Sequence, residues 1–572
     1  MDGLSREEIA MEVVRSVPEL RVGFVLAAVG AVAGVYALWL LAASPVGEFP
    51  LNDDWAYAWS VRHLLRTGEL RISEWTSASA VFPVYWGALF SKLAGGFSFT
   101  ALRVSTLMFS LMSPVALFWL LRCVGIPGSA ALLGVVTLLV NPLFVHLSYT
   151  FMTDVFYLGL MLVGLALYVG GIERDSARSL WAASLAAALA FLCRQIGLAL
   201  PLAAASVLLV RRRRQALRPV LRAVLLPALV FAAHSWWLNE VNGVPWAFRL
   251  NTVQNGLATL LRTSAPADLA VRLLQAMLYL GIFTLPALVA VAATRPLSSW
   301  REAGPRWPIF GAWLLALAGF ALYARLAHGE GMPYLLGVVN RDGIGAQTLP
   351  FGQKPRVPPE WIFDLVTLVA PVAGAALGAL WTNVFRAVRR EINAPGAVVL
   401  LSALIMAVPT ASMARLWDHY LLVFVPASLY LTLRGAHISA RGGIAGALVC
   451  GSMLAYTLPE QAEYLAWNDA RWRVGRELVR QHVPPVRIDG GFEWVGWFDF
   501  ERALPIALAA GYSDNLGAWM TIFPDRYFLS FEPVDGARIV ASARWRTRFG
   551  SEGTVLAVER ETSPWATVPP RP

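Results

Sequence analysis

Long apolar stretches recur along the chain and are separated by short connections that carry most of the arginines. The first stretch covers Val22–Ala43, and a helix needs about 20 mostly apolar residues to cross a bilayer. Twelve further stretches follow, at residues 100–121, 128–146, 154–172, 179–193, 196–210, 219–238, 269–293, 308–326, 361–383, 396–413, 419–433 and 443–458. This pattern predicts a polytopic α-helical membrane protein with about 13 transmembrane helices.

The composition agrees with a membrane protein and excludes a nucleic-acid partner. Of the 572 residues, 57% are hydrophobic and 15% are charged, whereas soluble domains are about 45–50% apolar and about 25% charged. The net charge of +10 comes almost entirely from arginines between apolar stretches, since Lys92 and Lys354 are the only lysines. The three cysteines lie far apart in apolar segments, so the sequence predicts no disulfide framework.

The arginine-rich connections predict which ends of the helices face the cytoplasm. The run Arg211–Arg214 is the strongest cytoplasmic marker, because cytoplasmic loops carry an excess of Lys and Arg. Counting spans in both directions from it places the amino terminus inside, with a short amphipathic helix over residues 5–17. The same count places residues 44–99, 147–153, 239–268, 327–360 and 414–418, together with the tail, outside.

Two domains are predicted. Residues 1–457 form the transmembrane domain, whose first outer loop, 44–99, carries the candidate catalytic residues. Residues 458–572 are predicted to form a small extracytoplasmic α+β domain, with a helix over 460–482 and strands at Arg526–Phe531 and Val555–Glu559. Within it, the segment Asp489–Trp497 is typical of a tight turn that leads into an aromatic strand, although a binding loop is the alternative.

Asp53 and Asp54 are the first candidates for chemistry. Adjacent carboxylates repel each other, and charge beside a bilayer is costly unless it has a use. They precede an amphipathic helix that starts at Trp55, so the alternative is that one of them caps this helix. Capping would account for one of the two carboxylates.

Asp154 is the second candidate, because no acidic residue occurs between Glu74 and Asp154. Thr153 or Asp154 could instead cap the helix that follows. The predicted orientation places Asp154 on the same membrane face as Asp53 and Asp54. Three carboxylates on one face of an acid-poor membrane region indicate a site.

Cationic and aromatic residues on that face complete the candidate site. Arg194 lies at the turn between two short spans, where it either reaches the lipid interface or binds an anionic headgroup. The run Arg415-Leu416-Trp417-Asp418-His419-Tyr420 begins the twelfth span, and its alternative is an aromatic belt with an ion pair. Lys354 and Arg356 in the long outer loop either face a phosphate or are simply solvated.

Several of these motifs resemble those of the GT-C glycosyltransferases, above all the branch with the aminoarabinose transferases of lipid A and the protein O-mannosyltransferases. The matching motifs are Asp53-Asp54-Trp55-Ala56-Tyr57, Asn141-Pro142, Thr153-Asp154 and Trp417-Asp418-His419-Tyr420-Leu421-Leu422. The first outer loop departs from the aminoarabinose transferases, because Ser79–Trp86 lacks the acidic and basic members of their Glu-Lys-Pro-Pro stretch. The sugar donor and any divalent cation are therefore left open.

The resemblance implies an inverting transferase that takes a sugar from a polyprenyl phosphate and gives it to an envelope glycan, lipid or protein. Asp53 would act as the base, with Asp54 and Asp154 as its catalytic partners. Arg194 is the first candidate for binding the donor phosphate, and Arg415 or His419 is the second. Substrate-binding residues would be Tyr57, Trp417, Asp418, Tyr420 and Lys354.

No cofactor is expected beyond the cation left open. The resemblance places the chain in the inner membrane of a prokaryotic cell, in contact with membrane lipid. The alternative function is a secondary transporter or flippase of cell-envelope precursors. Transporters usually carry internal repeats and ionisable residues near the bilayer midplane, and the sequence shows neither feature.

Overall fold

A computed structural model describes residues 22–255, 266–294, 306–329, 331–413, 415–512, 517–523 and 525–560. The predicted amphipathic helix over 5–17 lies outside these residues. The first helices are α1 Val22–Ala42, α2 Asp54–Thr67, α3 Val81–Leu93, α4 Phe99–Ser110, α5 Met112–Cys123, α6 Gly128–Leu139, α7 Pro142–Ser148, α8 Thr153–Glu173, α9 Ala177–Cys193, α10 Ala199–Arg212 and α11 Leu217–Trp237. The remaining helices are α12 Trp246–Asn255, α13 Pro266–Phe283, α14 Leu285–Thr294, α15 Arg306–His328, α16 Glu360–Arg386, α17 Val388–Glu391, α18 Ala397–Ser412, α19 Val425–Leu433, α20 Ala440–Arg480 and α21 Phe492–Ala509.

Shorter helical segments and two small sheets complete the described chain. The 3-10 helices are Gln195–Leu198, Arg213–Gln215, Asp418–Phe424, Pro485–Arg487 and Ala518–Thr521, and a π-helical turn covers Leu238–Asn242. The strands are β1 Val339–Asn340, β2 Gly343–Ile344, β3 Ile488–Asp489, β4 Tyr527–Ser530, β5 Ala537–Arg546 and β6 Glu552–Arg560. β1 and β2 form an antiparallel pair, and the tail sheet has the order β3-β4-β6-β5, in which only β3 and β4 are parallel.

Every apolar stretch predicted from the sequence falls on helix. Seven helices in the described chain are long and apolar enough to cross a membrane, or nine if each of two bent pairs counts as one span. The bent pairs are α6 with α7, at 61°, and α13 with α14, at 67°. Four shorter apolar helical stretches lie at the other predicted positions: Val29–Ala42 within α1, Ala177–Cys193, Ala397–Ser412 and Asp418–Leu433. At about 1.5 Å per residue, each of these stretches is shorter than the ~30 Å hydrocarbon core. Thirteen crossings therefore stay a prediction.

The last span and the predicted first helix of the tail are one continuous helix, α20, of 41 residues. The predicted boundary between residues 457 and 458 thus falls inside this helix. Polar residues after Leu458 had indicated a solvated domain, but many of them, such as Glu460 and Asn468, are buried against the rest of the protein. The tail therefore packs on the transmembrane part, and it contains the end of α20, helix α21 and the four-stranded sheet.

An aromatic cluster joins the tail to the first outer loop. Trp55 of α2 packs edge-on against Phe500 of α21, with 5.0 Å between ring centroids. Trp75 of the loop lies 5.5 Å from the ring of Trp519 and 6.2 Å from that of Trp246. Aromatic pairs at these separations stabilise packing beyond the area they bury, so the tail holds the loop that contains Asp53.

A buried arginine organises the chain just before this loop turns into α2. The Arg103 guanidinium donates hydrogen bonds to the carbonyl oxygens of Pro45, Gly47, Phe49 and Tyr149, over 2.8 to 3.2 Å. Buried carbonyls need such donors, because leaving them unpaired is costly. The segment after α1 is thereby fixed against the connection that precedes α8.

Candidate active site

Asp53 stands at the N-cap position of α2, but its carboxylate makes no capping hydrogen bond. Instead Oδ1 accepts a hydrogen bond of 2.8 Å from the indole nitrogen Nε1 of Trp75. The side chain is half-buried, and burial raises the pKa of its carboxyl above the usual range. Asp53 therefore offers a carboxylate that the helix does not use and whose proton affinity is enhanced.

Asp54 turns the other way, into the protein. Its Oδ1 accepts a hydrogen bond of 2.8 Å from the backbone N–H of Phe151, and its Oδ2 accepts one of 3.3 Å from that of Leu51. Burial raises the pKa of Asp54 to about 8. Both oxygens are occupied by backbone donors, so the contacts of Asp54 tie the loop to the connection before α8.

Asp154 lies in the first turn of α8, where it makes no capping bond because the N-cap residue is Met152. Its Oδ1 pairs with Nη1 of Arg194 at 2.5 Å, while its Oδ2 has no partner in the described part of the chain. Arg194 stands at the break between α9 and the 3-10 helix that begins at Gln195. The guanidinium of Arg194 also lies 5.4 Å from the centroid of the Tyr420 ring.

The run from Arg415 to Tyr420 divides into residues with different surroundings. Asp418 is fully buried, and its two oxygens accept hydrogen bonds from the backbone N–H groups of Val338 and Val339, at 2.9 and 2.8 Å. His419 packs on Tyr420, with 4.5 Å between ring centroids, and its Nδ1 lies 3.6 Å from Oδ1 of Asp418. Asp418 thus anchors the long outer loop, while His419 and Tyr420 face the other candidates.

Electrostatic neighbours show which of the predicted residues come together. His419 and Asp154 both act on the carboxyl of Asp53, and the hydroxyl of Tyr57 is under the influence of Asp53, Asp154 and Arg194. The site therefore gathers six residues from four separate segments: Asp53, Tyr57, Asp154, Arg194, His419 and Tyr420. It combines a carboxylate that can accept a proton with a guanidinium and an imidazole that can face an anion.

Three other predicted residues have different surroundings, although the ring of Trp417 lies 6.3 Å from that of His419. Arg415 is exposed. Trp417 is half-buried, and its backbone pairs with Leu336 of the outer loop. Lys354 is buried, with Nζ at 3.3 Å from both Glu460 and Glu463 of α20. The two buried carboxylates compensate the positive charge of Lys354, so this lysine attracts a phosphate only weakly.

Sequence reasoning missed the residues that contact Asn52, directly before Asp53. Its backbone N–H donates to Oε1 of Glu493, and its side-chain nitrogen lies 3.4 Å from Nε2 of His146. Glu493 falls in a segment that was expected to form a tight turn and an aromatic strand. In the structure, Glu493 lies in the first turn of helix α21. The apolar positions Phe500, Ala503, Leu504 and Ala507, spaced i, i+3, i+4 and i+7, were the signal for that helix.

A metal centre has no preformed ligand set in the described ranges. No group of three or more His, Cys, Asp or Glu side chains there is arranged to hold an ion. Within the candidate site, the side chains of these types are Asp53, Asp154 and His419.

One family model matches part of the chain. Residues 79–237 match the family described as dolichyl-phosphate-mannose-protein mannosyltransferase. The matched segment contains Asp154 and Arg194, but it begins after Asp53. The match confirms the resemblance to GT-C enzymes and the predicted enzyme class, glycosyltransferase. No curated protein sequence matches the chain.

Three of the solved structures to which this chain is similar are the following. ArnT from Cupriavidus metallidurans bound to undecaprenyl phosphate is 15% identical, with a TM-score of 0.41 over 95% of this chain and 99% of that one. The archaeal oligosaccharyltransferase AglB from Archaeoglobus fulgidus is 12% identical, with a TM-score of 0.43 over 96% of this chain and 75% of that one. A protein O-mannosyltransferase complex of S. cerevisiae is 14% identical, with a TM-score of 0.30 over 44% of this chain, which spans 36% of the yeast chain.

Proposed function

We propose that this chain is an inverting glycosyltransferase that moves a sugar from a polyprenyl phosphate to a glycan, lipid or protein acceptor on the outer face of the membrane. One observation carries the proposal: the uncapped carboxylate of Asp53 lies within electrostatic range of Asp154 and His419, and Asp154 holds Arg194. A base and cationic groups are thereby gathered at one place, as transfer from a sugar phosphate requires.

The chemical step follows from these roles. The acceptor hydroxyl oxygen attacks the anomeric carbon, and its proton passes to the carboxylate of Asp53. The bond between the anomeric carbon and the phosphate oxygen breaks, and its electron pair leaves with the phosphate. Attack from the side opposite the leaving phosphate inverts the anomeric centre. The raised pKa of Asp53 suits this role, because a stronger base accepts the proton more readily.

The departing phosphate gains negative charge, which Arg194 and His419 stabilise. Arg194 donates from one nitrogen to Asp154, and a guanidinium has five N–H donors in all. Tyr420, packed between the guanidinium and the imidazole, keeps these two groups apart and oriented. Tyr57 lies on the side of Asp53 and contributes a hydroxyl near the acceptor.

We assign the polyprenyl tail of the donor to an apolar groove of about 300 Å³ between α13, α16 and α18. Its lining is almost wholly apolar and includes Leu416 and Leu421, which flank the segment with His419 and Tyr420. Arg272 lies on the groove and donates to the carbonyl oxygen of Ala411. A tail in this groove would place its phosphate beside His419.

The proposal includes the topology predicted from the sequence: 13 crossings, a cytoplasmic amino terminus and an outer tail. The arginine-rich connections support it. Asp53, Asp154 and Arg194 all stand at ends or breaks of helices and not in the middle of a span. That placement is typical of a site at the membrane surface.

Mass spectrometry of envelope glycans and glycolipids from a deletion strain tests the proposal. Complementation with the wild-type chain should restore the missing sugar, whereas Asp53→Asn should not, with a loss of about 10²-fold or more expected for a removed base. The matched control is Asp469→Asn, which removes an exposed outer carboxylate paired with Arg473, and it should restore the sugar fully. Full restoration by Asp53→Asn would contradict the proposal.

Purified protein in liposomes made from the native lipid extract separates transferase from transporter. A transferase forms a glycosidic product there, while a transporter or flippase moves the precursor without forming one. Running the reaction with and without EDTA shows whether a divalent cation takes part.

A further inference from the structure

The chain directly before Asp53 is fixed by a residue that lies 441 positions later. The backbone N–H of Asn52 donates a hydrogen bond of 3.1 Å to Oε1 of Glu493. Asn52 adopts φ of +51°, a left-handed conformation that a non-glycine residue holds only when its surroundings enforce it. The bond to Glu493 is one such constraint on the turn that presents Asp53.

Glu493 is itself held rigidly. Its Oε2 accepts hydrogen bonds of 3.0 Å from both terminal nitrogens of Arg471, and both side chains are completely buried. Arg471 also donates from Nη1 to the hydroxyl of Thr348 in the long outer loop. The helix start fits closely against that loop, because a Cβ at Gly491 would lie 2.4 Å from the carbonyl oxygen of Thr348. These charge-assisted bonds hold Oε2, while Oε1 accepts from Asn52, so both oxygens of the carboxylate are fixed in place.

The side chain of Asn52 meets a second constraint on its other side. Its amide nitrogen lies 3.4 Å from Nε2 of His146, and Nδ1 of His146 lies 2.9 Å from Oε1 of Gln461. Because His146 belongs to α7 and Gln461 to α20, the turn is braced by the transmembrane part as well as by the tail.

We propose that Glu493 is a positioning residue that sets the place of the Asp53 carboxylate, so that the carboxyl-terminal tail is a working part of the active site. This inference rests on the proposed function. Displacement of a reacting group by about 1 Å is enough to cost 10²-fold in rate. Glu493 contacts the backbone of the turn, so its effect passes through Asn52 and not through the substrate.

Glu493 also adds negative charge near Asp53. The groups that act on the Asp53 carboxyl or share its surroundings are Trp75, His419, Glu493, Asp154, Asp54, Tyr57 and Tyr420. Among them the charge of Glu493 raises the pKa of Asp53. Neutralising Glu493 while keeping its shape should therefore move the acidic limb of the pH–rate profile to lower pH.

The experiment compares three changes at this position with a matched control. Glu493→Ala removes the acceptor, Glu493→Gln keeps an oxygen for the Asn52 N–H, and the double variant Glu493→Leu with Arg471→Met leaves no unpaired buried charge. The control is Glu559→Ala, since Glu559 is a buried tail carboxylate held by Arg526 and Arg538 in the sheet.

Two readouts are taken on the full-length chain. Hydrogen exchange of the Asn52 amide is measured on purified protein in nanodiscs, and sugar transfer is measured in membranes that contain the native donor and acceptor. Glu493→Ala and the double variant should speed exchange and lower transfer by about 10-fold or more. Glu493→Gln and Glu559→Ala should each stay within about 3-fold of wild-type transfer, and of these two only Glu493→Gln should shift the acidic limb.

The inference is overturned if the double variant folds and leaves transfer unchanged, whether or not the Asn52 amide exchanges faster. It is also overturned if Glu559→Ala lowers transfer as much as Glu493→Ala does, because the effect would then be general loosening of the tail. Failure of the proposed function looks different, since Asp53→Asn would then retain transfer or the wild-type chain would form no product.

Discussion

Asp154 and Arg194 form an ion pair with 2.5 Å between Oδ1 and Nη1, and they come from the start of α8 and the end of α9. The carboxylate of Asp154 is 2% exposed, and its second oxygen has no partner in the residues described. The pair therefore serves two purposes at once: it joins two helices and it holds a guanidinium beside Tyr420.

Separate and joint substitution of this pair should distinguish stability from activity. Arg194→Ala leaves a buried carboxylate without its cation, a change that typically costs about 3–5 kcal/mol. The double variant Asp154→Asn with Arg194→Gln carries no buried charge, so its thermal unfolding temperature should return towards wild type. Sugar transfer should stay low in both, because the guanidinium of Arg194 no longer faces the departing phosphate. A double variant that transfers sugar at the wild-type rate would rule out this role for Arg194.

The hydrogen bond from Trp75 to Asp53 leads to a pH prediction. A base acts in its deprotonated form, so transfer should fall as the pH drops through the raised pKa of Asp53, above the ordinary value of about 3.9. Trp75→Phe removes a donor that stabilises the charged carboxylate, so the pKa of Asp53 should rise and the limb should move to higher pH. The pH dependence of the single-turnover rate measures the shift.

Trp519→Phe is the matched control for this experiment. Trp519 belongs to the same aromatic cluster and is buried, but its indole nitrogen has no partner in the described chain. Its replacement should leave the acidic limb where it is. Equal shifts for the two variants would mean that cluster packing, and not the bond to Asp53, sets the pKa.

Gly337 and Asp418 predict how the long outer loop is held. A Cβ at Gly337 would lie 1.9 Å from Oδ1 of Asp418, and Gly337 has φ of +146°. Gly337→Ala should therefore displace Asp418 from the backbone N–H groups of Val338 and Val339. Limited proteolysis should show faster cleavage within residues 331–359. Gly319→Ala, where no atom lies within 4 Å of the added Cβ, should leave the cleavage rate unchanged.

Three carboxyls in the tail make its stability depend on pH. Burial raises the pKa of Asp499 to about 7 and that of Asp525 to about 8, and it also raises the pKa of Asp489. A carboxyl with a raised folded-state pKa favours the folded state fully below its unfolded pKa of about 3.9, and this contribution is lost as the pH rises through the folded value. The melting temperature of the tail should therefore decrease as the pH rises from about 4 to about 8.

Asp499→Asn checks this expectation directly, because an amide does not ionise. The variant should melt at a higher temperature than wild type, and the gain should be larger at pH 9 than at pH 5. Differential scanning fluorimetry of the purified chain measures both values, with the exposed Asp469→Asn as the control that should show no pH-dependent gain. A gain that is the same at both pH values would contradict the assigned ionisation.

Particular residues show how far sequence reasoning reached. Asp53 and Asp154 were found because carboxylates are scarce in an apolar chain, and that scarcity needs no structure to be seen. The side chain of neither residue accepts a capping hydrogen bond, so the competing explanation by capping does not apply. Asp418, in contrast, was assigned to substrate but binds backbone N–H groups, since hydrogen-bond partners 80 positions away are invisible in a local pattern.

The sequence by itself determined the helical segments and the conspicuous acids, because hydrophobic length and charge scarcity are local properties of the chain, and its motifs carried the resemblance that implied the enzyme class. Only the tertiary structure decided which acid is free and which is bound: Asp53 and Asp54 are neighbours, yet one carries a single indole bond and the other two backbone bonds. Only the fold, likewise, brought Glu493 of the tail to Asn52. Such contacts join residues that are hundreds of positions apart, and the local pattern of apolar and polar residues carries no information about them.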